Sequence, residues 1–232
     1  MSLSTELKKT VAEYFATKWV TRNGQVVPEA DKVTLGNDAV KLNGVVLYAD
    51  LAESTNLVRN YSSEIAAEVY KSYLHCASKI IRNNGGVITA FDGDRVMAVY
   101  IGENKETRAM RTALALNSAV IDIINPALSK EYGDKVKGLV IKQAVGIDVS
   151  DLFIAKTGVR GANDLVWVGN AANHAAKLCG LRTSNYASWV TKAVYDVAAN
   201  SVKKSTPDSK DMWESSTWEG RTVYRSYWRW DQ

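Results

Sequence analysis

Two aspartates stand at the ends of apolar runs. Val45-Val46-Leu47-Tyr48-Ala49-Asp50-Leu51 and Val87-Ile88-Thr89-Ala90-Phe91-Asp92-Gly93-Asp94 each read as a buried strand carrying a carboxylate at its tip. A further apolar run, Val96 to Tyr100, follows at once, so Asp92-Gly93-Asp94 is expected to be a tight hairpin turn. Two carboxylates brought together repel unless a cation intervenes. Mg²⁺ or Mn²⁺ suits oxygen ligands and keeps positions open for phosphate. Two such ions about 3.5–4 Å apart would activate an attacking hydroxyl and neutralise a leaving phosphate. Taken singly, Asp50 also reads as a turn residue before a helix capped by Ser54 or Thr55, and Asp92-Gly93-Asp94 as a turn and nothing more.

A second constellation is Gly169-Asn170-Ala171-Ala172-Asn173-His174-Ala175-Ala176-Lys177. Asn173 and Lys177 are four apart and share one helix face near its N-terminus. An amide and a cation there would orient a ribose and stabilise a phosphoryl transition state, or form an exposed polar stripe. His174 projects from another face and reads as a surface or packing residue.

The surrounding elements must bring these groups together. Leu7, Val11, Tyr14, Phe15 and Trp19 give a helical period up to Asn23-Gly24, and an arm with Pro28 and Gly36 follows. Helical patterning runs from Asn56 to Arg82 and stops at Asn83-Asn84-Gly85-Gly86. A second helix spans about Lys105 to Ile124, with Pro126 beyond it. Leu139 to Asp148 reads as a strand, Leu152 to Lys156 as its hairpin partner, and Ala171 to Leu181 as a helix. A short helix at Thr191 to Ala199 and aromatic strands near 213–218 and 223–230 complete the chain. The core order is β-α-β-β-α-β, an α+β ferredoxin-like sandwich with helices on one face of a mainly antiparallel sheet.

Composition bounds the rest. The 232 residues are 46% hydrophobic and 23% charged with a net charge of +4, which fits one globular domain and shows no basic run for nucleic acid. Two cysteines, Cys76 and Cys179, are too few and too far apart for a disulfide framework. A polar start and no apolar run of about 18 residues point away from export and membrane insertion, and to the cytoplasm.

The motifs together resemble the catalytic domain of class III nucleotidyl cyclases from about Asn43 onward. The family's Phe-x-Asp-Ile is matched by Tyr48-Ala49-Asp50-Leu51, its Gly-Asp and apolar strand by Gly93-Asp94-Arg95-Val96-Met97-Ala98, and its Gly-x-x-Val-Asn-x-Ala-x-Arg by the segment Gly169 to Lys177. The resemblance implies residues 1–42 as an N-terminal helical arm and 43–232 as the cyclase domain. It implies a homodimer with sites at the interface and two divalent cations per site. Asp50, Asp94 and the Leu51 carbonyl of one subunit would hold the metals. Asn173 of the other would orient the ribose, and Lys177 would stand where the family has its transition-state Arg. Lys offers a point charge without a bidentate fork.

Purine cyclases of the family carry a Lys and an acidic or polar residue where this chain has Ala90 and Val166, which form no polar contact with a purine edge. Tyr48 and the segments around it look most like the pyrimidine cyclases of bacterial antiphage (Pycsar) systems, in which an aromatic at this place fits the smaller base. The expected reaction is conversion of UTP, or CTP, to a 3′,5′-cyclic nucleotide and pyrophosphate, the product activating a separate effector. Arg221 is a candidate triphosphate contact. The competing readings are an adenylate or guanylate cyclase with atypical base contacts, a catalytically silent nucleotide sensor, and a ferredoxin-like RNA-binding module. The last is disfavoured because aromatic pairs for base stacking are absent from the central strands.

Overall fold

The computed structural model describes residues 2–181 and 185–230. Its strands are β1 (Val20–Asn23), β2 (Asp38–Ala52), β3 (Val87–Asp92), β4 (Arg95–Tyr100), β5 (Lys142–Val159), β6 (Ala162–Val168), β7 (Ser188–Thr191), β8 (Glu214–Trp218) and β9 (Arg221–Ser226). Its α-helices are α1 (Leu3–Ala16), α2 (Ser54–Asn60), α3 (Ser63–Asn83), α4 (Lys105–Ser118), α5 (Asn125–Tyr132), α6 (Asn170–Cys179) and α7 (Lys192–Val197). The chain divides into a smaller unit, residues 1–43 with 151–169, and a larger one, residues 44–150 with 170–232.

In the larger unit the strand order is β3-β4-β2-β5-β7-β9-β8. β4 pairs antiparallel with both β2 and β3, and β7 pairs parallel with β5 and antiparallel with β9. Strand alternation sorts the side chains of β2. Val45, Leu47, Ala49 and Leu51 enter the main core with Ile65, Val69, Tyr73 and Ala77 of α3 and Met110 and Leu114 of α4. Val46, Tyr48 and Asp50 therefore point to the opposite face.

α3 has its helical reasons in the sequence. Ser62 caps its start by accepting from the Ile65 amide, Ile65, Val69, Tyr73, Ala77 and Ile80 line one buried face, and Gly85 follows its end at φ 72°. That cap splits the single helix expected from Asn56 to Arg82 into α2 and α3. Ser54 and Thr55 lie inside α2, whose leading residue is Glu53 in a left-handed conformation at φ 62°.

Pro126 does not end the second long helix. A π-helical stretch, Ala119–Ile124, precedes it, and Pro126 falls in the first turn of α5, where its missing N–H leaves no gap. The Asn125 amide secures the junction, donating to the Val120 and Ile141 carbonyls and accepting from the Ile141 N–H at 2.7 Å. The continuous helical run Lys105–Val136 is long and apolar enough to cross a membrane by length and composition, which the sequence reading missed, and most of its apolar stretch is buried in the fold.

The expectation of a hairpin between 139–148 and 152–156 is corrected. Residues 142–148 and 152–156 belong to one 18-residue strand, β5, which begins after 139–141, and the true hairpin partner is β6, with Phe153 opposite Val168 and Val159 opposite Ala162. That hairpin lies in the smaller unit, where β1 also runs parallel to the start of β2. There the Asn37 amide donates to the Tyr14 and Thr17 carbonyls at the end of α1, and Trp19 meets Phe153 edge-on at 4.9 Å. α1 stops at Ala16, seven residues before the expected Asn23-Gly24, and β1 takes up the difference.

Helices do not cover one face only. α6 lies on the face opposite α3 and α4, against Gly146 of β5. A Cβ at Gly146 would come within 2.1 Å of the Ala175 carbonyl oxygen and 2.4 Å of the Cys179 nitrogen. A small second core of Leu178, Trp189 and Val223 forms beneath it.

Candidate active site

The face that β2 turns away from α3 and α4 carries two rows of side chains. Cross-strand register aligns Tyr48 with Met97 and Met97 with Ala90. The next row on the same face is Asp50, Arg95 and Asp92, with Asp92 opposite Arg95 and an Arg95 N–H donating to Asp50 Oδ2 at 3.3 Å. Asp94 precedes Arg95 in a turn whose Gly93 sits at φ 60°, a conformation open to glycine. The hairpin thus brings the Asp50 and Asp94 carboxyls to one end of the β2–β4 pair.

Ala90 reaches its row because β3 contains a bulge. Ile88 pairs with Ala98 and Ala90 with Met97, leaving Thr89 as the extra residue. Ile88 packs on the main core, whereas Ala90, two residues on, shares the face of Tyr48. Strict alternation would put both on one side.

Electrostatics differ along the rows. Asp50 is 8% exposed, and a buried carboxylate requires a partner. Burial opposes the charge of Arg95, but Asp50 and Asp92 outweigh it and hold the guanidinium above its ordinary pKa. Burial likewise pushes the Tyr48 phenol up, so it is neutral at physiological pH, a rigid aromatic with a hydroxyl tip. Among the described residues, one carboxylate oxygen of Asp94 is buried with no hydrogen-bond partner.

The other candidates gather on α6 and the β8–β9 hairpin. Asn173 and Lys177 are both exposed on one face of α6, as their spacing predicts. Lys177 Nζ lies 3.4 Å from Glu219 Oε1 and 5.9 Å from the centre of the Trp218 ring. Arg221 opens β9 at the same hairpin, with an Nη1–H donating to His174 Nε2 at 2.9 Å. His174 is therefore not an isolated surface or packing residue: its Nδ1 lies 2.8 Å from Asp148 Oδ2, and its ring meets Trp218 edge-on at 5.6 Å.

The candidate residues thus fall into two clusters with separate partners. Tyr48, Asp50, Ala90 and Asp94 share one end of the strands, and Asn173, Lys177 and Arg221 share the helix–hairpin face. Leu51 is 3% exposed with its side chain in the main core, so a contribution from it would have to come from its backbone. Val166 lies on β6 in the smaller unit, opposite Ala155, and is exposed. Sequence reasoning missed Arg95, Asp148 and His174 as site residues. For Arg95 the signal was present, because a tight turn at Gly93 places it across from Asp50. Asp148 and Thr191 are 26 and 17 residues from His174, and no local pattern links them.

The carboxylate cluster has the chemistry for hard cations: two aspartates, one with an unpartnered buried oxygen, and a backbone carbonyl. Among the described residues no group of three or more His, Cys, Asp or Glu side chains could hold a metal alone. Two carboxylates leave coordination positions for phosphate oxygens, as Mg²⁺ and Mn²⁺ sites that bind nucleotides do.

No family model matches the chain. Among characterised proteins it is similar to a uridylate cyclase from Xanthomonas perforans, at 48% identity over 99% of each chain. A uridylate cyclase from Burkholderia cepacia is 44% identical, again over 99% of each. Among solved structures, a guanylyl cyclase superposes with a TM-score of 0.66 at 14% identity, covering 82% of this chain and 93% of that one. The fold is that of class III cyclase catalytic domains, and the full-length identities say more: the chain belongs to the uridylate cyclase family, and it is a nucleotidyl cyclase.

Proposed function

We propose that the protein converts UTP to 3′,5′-cyclic UMP and pyrophosphate. The observation that carries this reading is the Tyr48–Met97–Ala90 row beside the Asp50 and Asp94 carboxylates. An aromatic and two apolar side chains narrow the space next to the phosphate chemistry and offer no lysine to a purine edge. The names of the full-length relatives favour uridine over cytidine. Val166, exposed on β6, is assigned to substrate binding as well.

In the reaction the ribose 3′-oxygen forms a bond to the α-phosphorus, the bond from that phosphorus to the bridging oxygen breaks, and pyrophosphate leaves with its electrons. The hydroxyl proton departs to solvent or to the leaving group. Because nucleophile and electrophile share one molecule, the protein's work is positioning and charge. Asp50, Asp94 and the Leu51 carbonyl would hold two divalent cations, Mn²⁺ or Mg²⁺, which would offset phosphate charge and favour ionisation of the 3′-hydroxyl. Asn173 orients the ribose. Lys177 meets the charge that develops on the α-phosphoryl group, and Arg221 holds the triphosphate.

The two clusters are assigned to opposite subunits of a homodimer, the carboxylates of one facing the Asn173–Lys177 face of the other. Residues 1–42 are assigned as an N-terminal helical arm and residues 43–232 as the cyclase domain. The setting is the cytoplasm, where cyclic UMP serves in antiphage defence by activating a separate effector. The test is incubation with each of the four nucleoside triphosphates and Mn²⁺. Cyclic UMP as main product is expected; cyclic AMP or cyclic GMP as main product overturns the pyrimidine reading, and binding without any cyclic product favours a silent nucleotide sensor.

A further inference from the structure

We propose that Asp148 and His174 form a positioning relay that aims Arg221 at the triphosphate, a role that rests on the cyclase reading above. Asp148 lies on β5, 4% exposed, and is held from two sides. Thr191 Oγ1 donates to its Oδ1 at 2.5 Å, and His174 Nδ1 is 2.8 Å from its Oδ2.

The chemistry of the last link fixes the proton. A guanidinium carries donors only, so the 2.9 Å contact between Arg221 Nη1 and His174 Nε2 requires Nε2 to accept. Nδ1 is then the nitrogen that carries a proton, and it donates to Asp148 Oδ2. Trp218 stands edge-on to the ring and restricts its tilt. The same hairpin holds Lys177 through Glu219 and Trp218, so two cations are anchored to one turn.

An arginine at the start of an exposed edge hairpin otherwise samples many rotamers, and binding an anion would have to freeze them. The relay does part of that ordering beforehand. It uses groups that none of the assigned catalytic steps involves: Asp148 is buried on a central strand, and His174 touches the substrate only through Arg221. His174 is a positioning residue, and so is Asp148.

A double-mutant cycle tests this, comparing wild type, His174→Phe, Arg221→Met and the double variant by KM for UTP and, independently of turnover, by calorimetric affinity for pyrophosphate with Mn²⁺. The expected result is a loss of about tenfold in each single variant and no greater loss in the double, with kcat changed far less than KM. Additive losses, or His174→Phe binding pyrophosphate as wild type does, overturn the relay. A second measurement is independent of whether His174→Phe folds. The chain has two histidines, so His75→Gln leaves His174 as the single imidazole for ¹⁵N resonance. The Nδ1–H tautomer is expected, and the Nε2–H tautomer or the doubly protonated ring at neutral pH overturns the proposal. Failure of the cyclase reading shows separately, as absence of cyclic product from the wild type.

Discussion

The two clusters of the site are built by different means. The carboxylate end is made of strand register: Asp50 is flanked by core residues Ala49 and Leu51, and Asp94 sits in a turn fixed by Gly93. The cationic end is made of side-chain contacts on an exposed helix face and a hairpin: His174 to Asp148 and Arg221, Lys177 to Glu219. Register fixes backbone position to a fraction of an ångström because shifting it would turn a whole buried face outward. Side-chain contacts fix direction more softly and leave reach. In the proposed reaction the paired carboxylates would tolerate little error, because they would have to hold cations at set distances, whereas a side-chain cation meeting a triphosphate would gain from adaptability.

The contrast can be broken from either side. Asp94→Asn strikes the rigid end at a residue that makes no salt bridge among the described residues, and should lower kcat about a thousandfold or more while circular dichroism and thermal midpoint hold. Asp50→Asn should do the same, but it also removes the ion pair with Arg95, leaving Asp92 as the carboxylate opposite that guanidinium, and should cost a little stability. Mixing Asp94→Asn with Asn173→Ala subunits should recover activity, because each mixed dimer keeps one intact site; no recovery would place both clusters' duties within one subunit.

Lys177→Ala strikes the soft end, and we expect about a hundredfold loss in kcat with KM little changed, measured at saturating UTP and Mn²⁺. Lys177→Arg should retain much of the rate if reach matters more than geometry there. Gly146→Ala tests the seat shared by α6 and the sheet. The new methyl meets the backbone of Ala175 and Cys179, so we expect a destabilisation of about 1–3 kcal/mol and a fall in kcat, with Mn²⁺ affinity at the carboxylate end preserved.

Tyr48→Ala should leave UTP turnover within about tenfold and reduce discrimination against ATP by a comparable factor, read as a ratio of kcat/KM values. The smallest effect lies outside both clusters. The Thr34 amide, Arg22 and the Thr34 hydroxyl hold the Asp38 carboxyl below its ordinary range. A depressed carboxylate stabilises the fold above the unfolded-state pKa of about 4, and that contribution fades as pH falls through the folded-state value. Asp38→Asn should therefore lower Tm by about 2 °C or less near neutral pH and converge on the wild type in acid, without changing turnover.

The same contrast explains what could be read from the sequence. Asp50 and Asp94 were legible because an apolar run ending in Asp, or closing on Asp-Gly-Asp, states its geometry within a few residues. The ferredoxin-like order followed from the alternation of such runs with helical periods. Less was legible where structure overrides local signals. The Ser150-Asp151 pair resembles a turn, yet β5 runs through it, its first half buried among strands. β7 is four residues long, too short a run to read as an element between the helices on either side. The His174 network escaped because its members meet only after β5, β7 and β9 align, although every residue of it was in view. Arg182, Thr183 and Ser184 lie outside the described residues.

The bulge at Thr89 has a consequence for chain length. Pairing between β3 and β4 is counted from the Asp92–Arg95 end, and Thr89 stands outside the count. Deleting it would shorten the link from α3 by one residue yet keep Ala90 opposite Met97 and Asp92 opposite Arg95. Inserting a residue between Ala90 and Asp92 would do the reverse, moving Ala90 off the row it shares with Tyr48. The hairpin measures its site from the tip, so the one extra residue at the bulge can be lost while the length between Ala90 and Asp92 cannot change.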